Sequence, residues 1–112
     1  MFGIGVKVPE ISVDELKKLI DNGQKITILD VRTELEVSRG KILNSINIPL
    51  DRIQKTEELV PDKNSEIYVY CLSGSRSAIA VDQLIKMGYQ NTHNVASGLL
   101  AWRAKKFPLT DE

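Results

Sequence analysis

A four-residue apolar run that leads into a loop of small residues and then into a helical pattern constrains the fold of this chain most strongly. The run is Ile67-Tyr68-Val69-Tyr70, the loop covers residues 72–76, and the helical pattern covers residues 77–87. Gly88 then ends the helix. The pattern predicts a buried strand, a tight turn and a helix, with Cys71 at the point where the strand gives way to the loop.

Strand and helix patterns alternate along the rest of the chain in the same way. Short apolar runs predict further strands over residues 26–29, 45–48 and 92–95. Helices are predicted over residues 12–22 and 33–38, each with a Ser or Thr cap and a Glu three residues later, and also after Ser97, which we expect to cap the last helix. The sequence therefore predicts one α/β domain over residues 1–112, with a central, mostly parallel sheet and helices on both faces.

The composition excludes several classes of protein and of site. Fifteen Lys and Arg residues balance 15 Asp and Glu residues, which argues against a nucleic-acid binder held by electrostatics. A single cysteine can form neither an internal disulfide, nor a CxxC redox pair, nor a multi-thiolate zinc site, so we expect a reducing compartment. No apolar run could cross a bilayer and residues 1–7 lack a secretory pattern, so we expect a cytoplasmic protein that does not bind membranes.

Cys71 is the candidate nucleophile because of its place in the predicted sheet and the residues beside it. Ligands bind at the carboxyl ends of the strands in parallel sheets, and Cys71 lies at one of these ends. Loop N–H groups and the positive end of the next helix favour the thiolate, which is the reactive form of a thiol. A cysteine taken alone is most often an inert core residue. The Gly, Ser and Arg residues around Cys71 are not what a core needs, and they favour the functional interpretation.

The loop after Cys71 is the candidate substrate-binding ring. Gly74 lets the loop curl so that successive N–H groups face inward, while Ser73 and Ser75 are small and keep its mouth open. Arg76 adds a permanent cation. We therefore expect a sulfur that is open to solvent, with Cys71 as the catalytic residue. The predicted substrate-binding residues are Leu72, Ser73, Gly74, Ser75 and Arg76.

Four separate motifs in the same order resemble the rhodanese family of sulfurtransferases. The loop from Cys71 to Ser77 matches Cys-x-x-Gly-x-Arg-Ser, and Asp30-Val31-Arg32 is similar to the Asp-Val-Arg strand end of that family. Residues 40–49 resemble its Gly-His-Ile…Asn-Ile-Pro segment, and residues 98–102 resemble its Gly-Gly-x-x-Ala-Trp ending. The resemblance extends from about the first predicted helix to the last and implies a rhodanese-like fold.

The resemblance also implies a mechanism and a set of partners. Cys71 would take the sulfane sulfur of a small donor such as thiosulfate, hold it as a persulfide, and pass it to cyanide, a thiol or a protein acceptor. No metal or organic cofactor is implied. We expect a monomer or a weak dimer.

The chain departs from the family pattern at several positions that look structural. Lys41 replaces the usual His, Asn44-Ser45 replaces Gly-Ala, and Ser97 replaces the first Gly of the late pair. We expect these changes to tune the site without abolishing it. Leu72 stands where the family often has a basic residue, which leaves Arg76 as the only charged residue of the loop.

Two other functions compete with a sulfurtransferase. Phosphatases and arsenate reductases on related folds resemble Cys-x5-Arg, whereas only four residues separate Cys71 from Arg76, and Tyr70 stands where a phosphatase commonly has His. The shorter ring leaves less room for a phosphoryl group. A non-catalytic interaction module or a sulfur carrier on the same fold is the other alternative, although interaction modules usually lose the cysteine.

Three further polar or aromatic features favour structural roles. Asp30 and Arg32 suggest an ion pair that braces a strand end. His93 lies in a predicted strand with no pattern that links it to Cys71. Trp102 is expected in the core or in a pocket wall.

Overall fold

The structure is a computed structural model that describes residues 6–111 of the chain. Residues 1–5, on which the prediction of no secretory signal partly rests, and residue 112 lie outside the described residues. Over residues 6–111, no helix is both long and apolar enough to cross a bilayer.

Within the described part of the chain, five parallel strands form one sheet. They are β1 (Glu10–Ile11), β2 (Thr27–Asp30), β3 (Ile46–Asn47), β4 (Ile67–Tyr70) and β5 (Thr92–Val95), in the spatial order β1-β5-β4-β2-β3. Every neighbouring pair is parallel, so the carboxyl ends of the strands meet at one edge of the sheet. Strand β4 lies at the centre. The predicted α/β fold class is confirmed, whereas β1 was not predicted because two residues are too short to show a period.

The connections are helical and cover both faces of the sheet. They are α1 (Val13–Asp21), α2 (Glu34–Val37), a 3₁₀ helix (Leu50–Lys55), α3 (Thr56–Leu59), α4 (Ser75–Lys86) and α5 (Gly98–Ala104). Both predicted capping boxes are present, one at the start of α1 and one at the start of α2. One core lies between the sheet and α4, and the other lies between the sheet, α1 and α5.

Alternation along β4 decides which way the thiol points. Ile67 and Val69 are buried on the α4 side, while Tyr68 and Tyr70 are buried on the side of α1 and α5. Since successive strand residues point to opposite faces, Cys71 continues the row of Ile67 and Val69. Its side chain is therefore buried in the core that α4 covers.

Helix α4 begins at Ser75, two residues before the predicted start. Gly74 precedes it with φ of +102°, a left-handed conformation that favours glycine. The early start turns Ser77 into the core, whereas its neighbour Ala78 is only half-buried. Ser77 thereby comes to lie beside the sulfur of Cys71.

The amino end of α5 sits directly on the carboxyl end of β4. The N–H of Leu99 donates to the carbonyl of Cys71 at 2.9 Å, and the N–H of Leu100 donates to the carbonyl of Leu72 at 3.0 Å. A Cβ atom at Gly98 would collide with both carbonyl oxygens, so only glycine permits this approach. Ser97 does precede the helix, but its side chain makes no capping hydrogen bond, which corrects the predicted capping role.

Candidate active site

The sulfur of Cys71 is surrounded by hydrogen-bond donors from the start of α4. It accepts from the N–H of Gly74 at 3.1 Å, from the N–H of Ser77 at 3.4 Å and from the Ser77 hydroxyl at 3.3 Å. Two backbone amides at a helix amino end favour a negative charge on the sulfur. Gly74 belongs to the predicted ring, whereas Ser77 lies one position beyond it.

The prediction that the sulfur is open to solvent is wrong in this conformation. Cys71 has an exposed fraction of 0%. Strand alternation directs its side chain into the α4 core, and Gly74 and Ser77, both buried, cover the side that faces the loop. The sulfur is therefore covered from the loop side as well as from the core.

The remaining residues of the predicted ring lie on the outer side of the loop. Ser73 and Ser75 are exposed, and their hydroxyl oxygens lie 3.4 Å apart. Leu72 is half-buried against the α1 and α5 core. The hydrogen bonds to the sulfur come instead from Gly74 and Ser77.

A buried hydrogen-bond network that the sequence patterns did not reveal extends from Cys71 to Asn94. The Ser77 hydroxyl donates to Asn94 Oδ1 at 2.5 Å. Asn94 Nδ2 donates to the Gly74 carbonyl at 3.1 Å and to Glu10 Oε2 at 3.2 Å. These two acceptors orient the amide so that Oδ1 faces Ser77. The one hydroxyl proton of Ser77 can therefore serve either Asn94 or the sulfur, but not both.

Asn94 could have been noticed in the sequence as a polar residue in a predicted strand. It is 1% exposed on β5, one strand away from the nucleophile. A buried amide needs partners, which marks such a residue as part of a network. Which groups it meets depends on strand order, and that order is not readable from the sequence.

Arg76 is bound to an acidic residue of α2. Its Nη1 and Nη2 atoms lie 2.7 and 2.9 Å from the two carboxylate oxygens of Glu36. Glu36 is also the capping-box residue that accepts from the N–H of Thr33. The hydrogen bonds from Arg76, together with those from Thr33, lower the pKa of Glu36 to about 2. Arg76 is thus near the ring as predicted, but Glu36 neutralises its charge.

Asp30 and Arg32 form the predicted brace at the end of β2. The guanidinium contacts both Asp30 carboxylate oxygens, the shortest at 2.7 Å, and also donates to the Gly40 carbonyl at 2.8 Å. Both side chains are buried. The brace holds the segment that leads into α2, and α2 in turn carries Glu36.

Tyr70 points away from the nucleophile. Its hydroxyl accepts from the N–H of Ile42 at 3.0 Å and lies 3.2 Å from the hydroxyl of Ser45. Ser45 is one of the departures from the family pattern, and Tyr70 gives its buried hydroxyl a partner. Tyr70 therefore anchors the 42–45 segment on the opposite face of the sheet from Cys71.

An open groove lies beside Cys71, the candidate nucleophile, at the carboxyl edge of the sheet. It measures about 300 Å³ and is lined by Val31, Thr33, Pro49, Leu50, Asp51 and Arg76. Asp30 pairs with Tyr70 in the sheet, so Val31 and Cys71 lie next to each other. A larger cavity of about 420 Å³ lies at the amino ends of β2 and β4, far from this chemistry.

His93 and Trp102 have the structural roles that the sequence predicted. His93 stacks on Tyr68 with ring centroids 5.1 Å apart, and Tyr68 lies on the opposite side of the sheet from Cys71. Trp102 is 1% exposed, and its indole N–H donates to the carbonyl of Pro108 at 2.9 Å.

Comparison with known proteins places this geometry in a family. The family model described as "Rhodanese-like domain" matches residues 12–105. Thiosulfate sulfurtransferase 18 of Arabidopsis thaliana is 35% identical, over 95% of this chain and 86% of the plant protein. A Bacillus subtilis protein, YrkF, whose name describes a sulfur carrier, is also 35% identical over 88% of this chain. The matched region spans 52% of YrkF.

A solved structure supports the same assignment. The rhodanese-related protein of Thermoplasma volcanium superposes with a TM-score of 0.83 at 31% identity, and the match covers 94% of this chain and all of that one. The names of the sequence relatives support a sulfurtransferase or sulfur-carrier role. The family match over most of the chain, together with the agreement in fold, shows that the chain belongs to the rhodanese-like domain family.

Proposed function

We propose that this chain is a sulfurtransferase that carries sulfane sulfur on Cys71. It takes the sulfur from a small donor such as thiosulfate and passes it to a thiol or cyanide. The observation that carries the proposal is the sulfur of Cys71, which lies at the amino end of α4 with the Gly74 and Ser77 amides directed at it. Relatives named as sulfurtransferases and sulfur carriers support it.

The reaction has two half-steps, and both take place at sulfur atoms. The Cys71 thiolate attacks the outer sulfur of the donor, a new S–S bond forms, and the old S–S bond breaks with its electron pair on the leaving group. With thiosulfate, the leaving group is sulfite. An acceptor nucleophile then attacks the outer sulfur of the persulfide and regenerates the thiolate.

The loop binds the substrate in this proposal. The Gly74 and Ser77 donors hold the inner sulfur of the persulfide, while Leu72, Ser73, Ser75 and Arg76 form the entrance through which the donor reaches it. Because Cys71 is fully buried, this entrance opens when the donor arrives. The fixed contacts of α5 with the Cys71 and Leu72 carbonyls keep the base of the loop in place during that movement.

Intact-protein mass spectrometry tests the proposal directly. Incubation with thiosulfate should add one sulfur atom to the chain, and subsequent addition of cyanide should remove it and produce thiocyanate. Cys71→Ser should abolish the gain, and since Cys71 is the only cysteine, no second thiol can obscure the result. If no sulfane donor adds sulfur to the wild-type chain, the proposal is wrong and a non-catalytic interaction module is favoured.

A further inference from the structure

We infer that Glu36 determines the class of sulfur donor. By neutralising Arg76, it makes the site a poor receptor for the thiosulfate dianion and a better one for the persulfide of a small organic thiol, R–S–SH. The inference rests on the proposed function and adds the substrate class to it.

The first observation is the geometry of the Arg76–Glu36 pair. Two short, parallel hydrogen bonds join the guanidinium to the carboxylate, which is the strongest arrangement available to such a pair. The capping box holds Glu36 from the other side through Thr33. Arg76 is the only charged residue from Cys71 to Ser77, so the loop has no uncommitted cation to offer a dianion.

The second observation is the charge around the groove. Asp51 lies in the wall of the groove beside Val31 and Arg76. An adjoining cavity of about 180 Å³ shares Asp51 and adds Glu34 and Arg52. The groove and its surroundings therefore contain three carboxylates, from Glu34, Glu36 and Asp51. They contain two guanidinium groups, from Arg52 and Arg76. This net negative charge opposes the approach of a dianion to the Cys71 sulfur, which is itself negative once the thiolate has formed.

The third observation is the apolar surface of the groove. Val31, Pro49 and Leu50 supply much of its wall, next to the nucleophile. Its volume of about 300 Å³ is at the lower end of the range for small-molecule sites, roughly 300–1,000 Å³. Thiosulfate has no carbon to place on such a surface. A short organic group attached to a sulfane sulfur can bury its carbon atoms there.

The transfer balances without any other reactant. The Cys71 thiolate attacks the outer sulfur of R–S–SH, the S–S bond of the donor breaks with its electron pair on the inner sulfur, and R–S⁻ leaves. The outer sulfur keeps its proton and becomes the terminal atom of Cys71–S–SH. The single negative charge of the Cys71 thiolate leaves on R–S⁻, whereas the thiosulfate reaction brings three negative charges together at the same place.

Single-turnover persulfidation of the wild-type chain, measured by rapid quench and intact mass, provides the first test. The probes are thiosulfate, a dianion, and 2-hydroxyethyl persulfide, a donor with at most one negative charge that is generated immediately before mixing. The rate constant with thiosulfate should rise as salt is added, because salt screens the repulsion. The rate constant with 2-hydroxyethyl persulfide should respond much less. A thiosulfate rate that falls with salt would show a free cation at the site and would overturn the inference.

Glu36→Gln provides the second test. Glutamine also serves at this position of a capping box, so α2 keeps its start while Arg76 loses its charged partner. The ratio of the thiosulfate rate constant to the persulfide rate constant should rise about fivefold, and the thiosulfate salt response should vanish or reverse. Glu15→Gln makes the same change in the capping box of α1 and should leave the ratio unchanged.

The outcomes separate this inference from the proposed function. If neither donor adds sulfur to the wild-type chain, the proposed function itself fails. If sulfur is added but Glu36→Gln leaves the donor ratio unchanged, only the role of Glu36 fails. If the variant does not fold, as judged by circular dichroism, the salt response of the wild-type chain decides by itself.

Discussion

The Ser77 hydroxyl lies 3.3 Å from the Cys71 sulfur, and both residues are fully buried. The same hydroxyl donates to Asn94 at 2.5 Å. Because a hydroxyl has only one proton, the sulfur competes with Asn94 for it. When the sulfur becomes a thiolate or a persulfide, it is a pure acceptor, and the proton can turn toward it at the expense of Asn94.

Ser77→Ala should affect both stability and chemistry. It leaves Asn94 Oδ1 buried without the Ser77 donor, so the free energy of unfolding should fall by about 1–3 kcal/mol. Persulfide formation should also slow, since one donor to the sulfur is lost. Urea unfolding and single-turnover mass measurements check the two effects. Ser73→Ala, at an exposed site, should change the unfolding free energy by less than about 0.5 kcal/mol. Equal stability of the two variants would contradict the network.

Asn94→Asp should destabilise the chain in a pH-dependent way. The new carboxylate would face the Gly74 carbonyl and the Glu10 carboxylate, where Asn94 now donates, and unfolding should become easier by about 3 kcal/mol at pH 7. Burial and these acceptors favour the protonated acid, so its pKa should lie above the unfolded value. The loss of unfolding free energy in this variant should therefore become smaller as pH falls through that raised pKa, because the acid becomes protonated.

The matched control for this change is Asn91→Asp, at an exposed position just before β5. Thermal unfolding of both variants across a pH series separates the effect of burying a carboxylate from the effect of adding a negative charge. Asn91→Asp should show neither the loss of stability at pH 7 nor the return of stability in acid. A pH-independent loss in Asn94→Asp would rule out an ionised carboxylate as the cause.

Gly98→Ala should damage the fold more than the same change at Gly23. Both glycines have positive φ angles, +46° and +71°, so both substitutions carry backbone strain of about 1–2 kcal/mol. A Cβ at Gly23 meets no atom within 4 Å, whereas one at Gly98 collides with the carbonyls of Cys71 and Leu72. Urea unfolding measures the free energy of unfolding that each variant loses. The larger loss in Gly98→Ala is the cost of the collision. We expect a total of about 4 kcal/mol or a failure to fold.

The Glu36–Arg76 pair should stabilise the chain at neutral pH and lose its effect in acid. The pKa of Glu36 is lowered from 4.5 to about 2 on folding, so its contribution is present above pH 4.5 and is lost as pH falls toward 2. The pair is about one-third exposed, which limits its contribution to about 1 kcal/mol.

A double-mutant cycle with Glu36→Gln and Arg76→Gln measures that coupling. The coupling energy should be near 1 kcal/mol at pH 7 and should fall to a fraction of that value at pH 2.5, close to the folded-state pKa of Glu36. A coupling that stays constant between these pH values would show that the two side chains do not interact as an ion pair.

The short-range sequence patterns predict the structure correctly where neighbours in the chain determine it. The boxes of Ser12 with Glu15 and of Thr33 with Glu36 span three residues each, and both are present. The run at Ile67–Tyr70 is the central strand. Here the deciding hydrogen bonds and burial patterns lie within one turn or one strand, so propensity and spacing contain the necessary information.

The sequence predicts the start of α4 and the role of Ser97 incorrectly, because both depend on a contact between distant segments. Gly74 adopts its positive φ angle close to the backbone of Ser97, which lies far away in the sequence. Ser97 has a positive φ of its own and makes no side-chain cap. The two segments shape each other through a tertiary contact, and neither shows that contact in its own composition.

The amino-acid order by itself determined the alternation of strands and helices, the place of the thiol at the end of an apolar strand, and the glycine that lets the following loop curl. Tertiary structure alone decided the surroundings of that thiol. Glu36 reaches Arg76 across 40 positions, and Asn94 reaches Ser77 across 17, because strand order brings the ends of β2, β4 and β5 together. Those contacts set the charge of the loop and bury the sulfur, and only the folded sheet creates them.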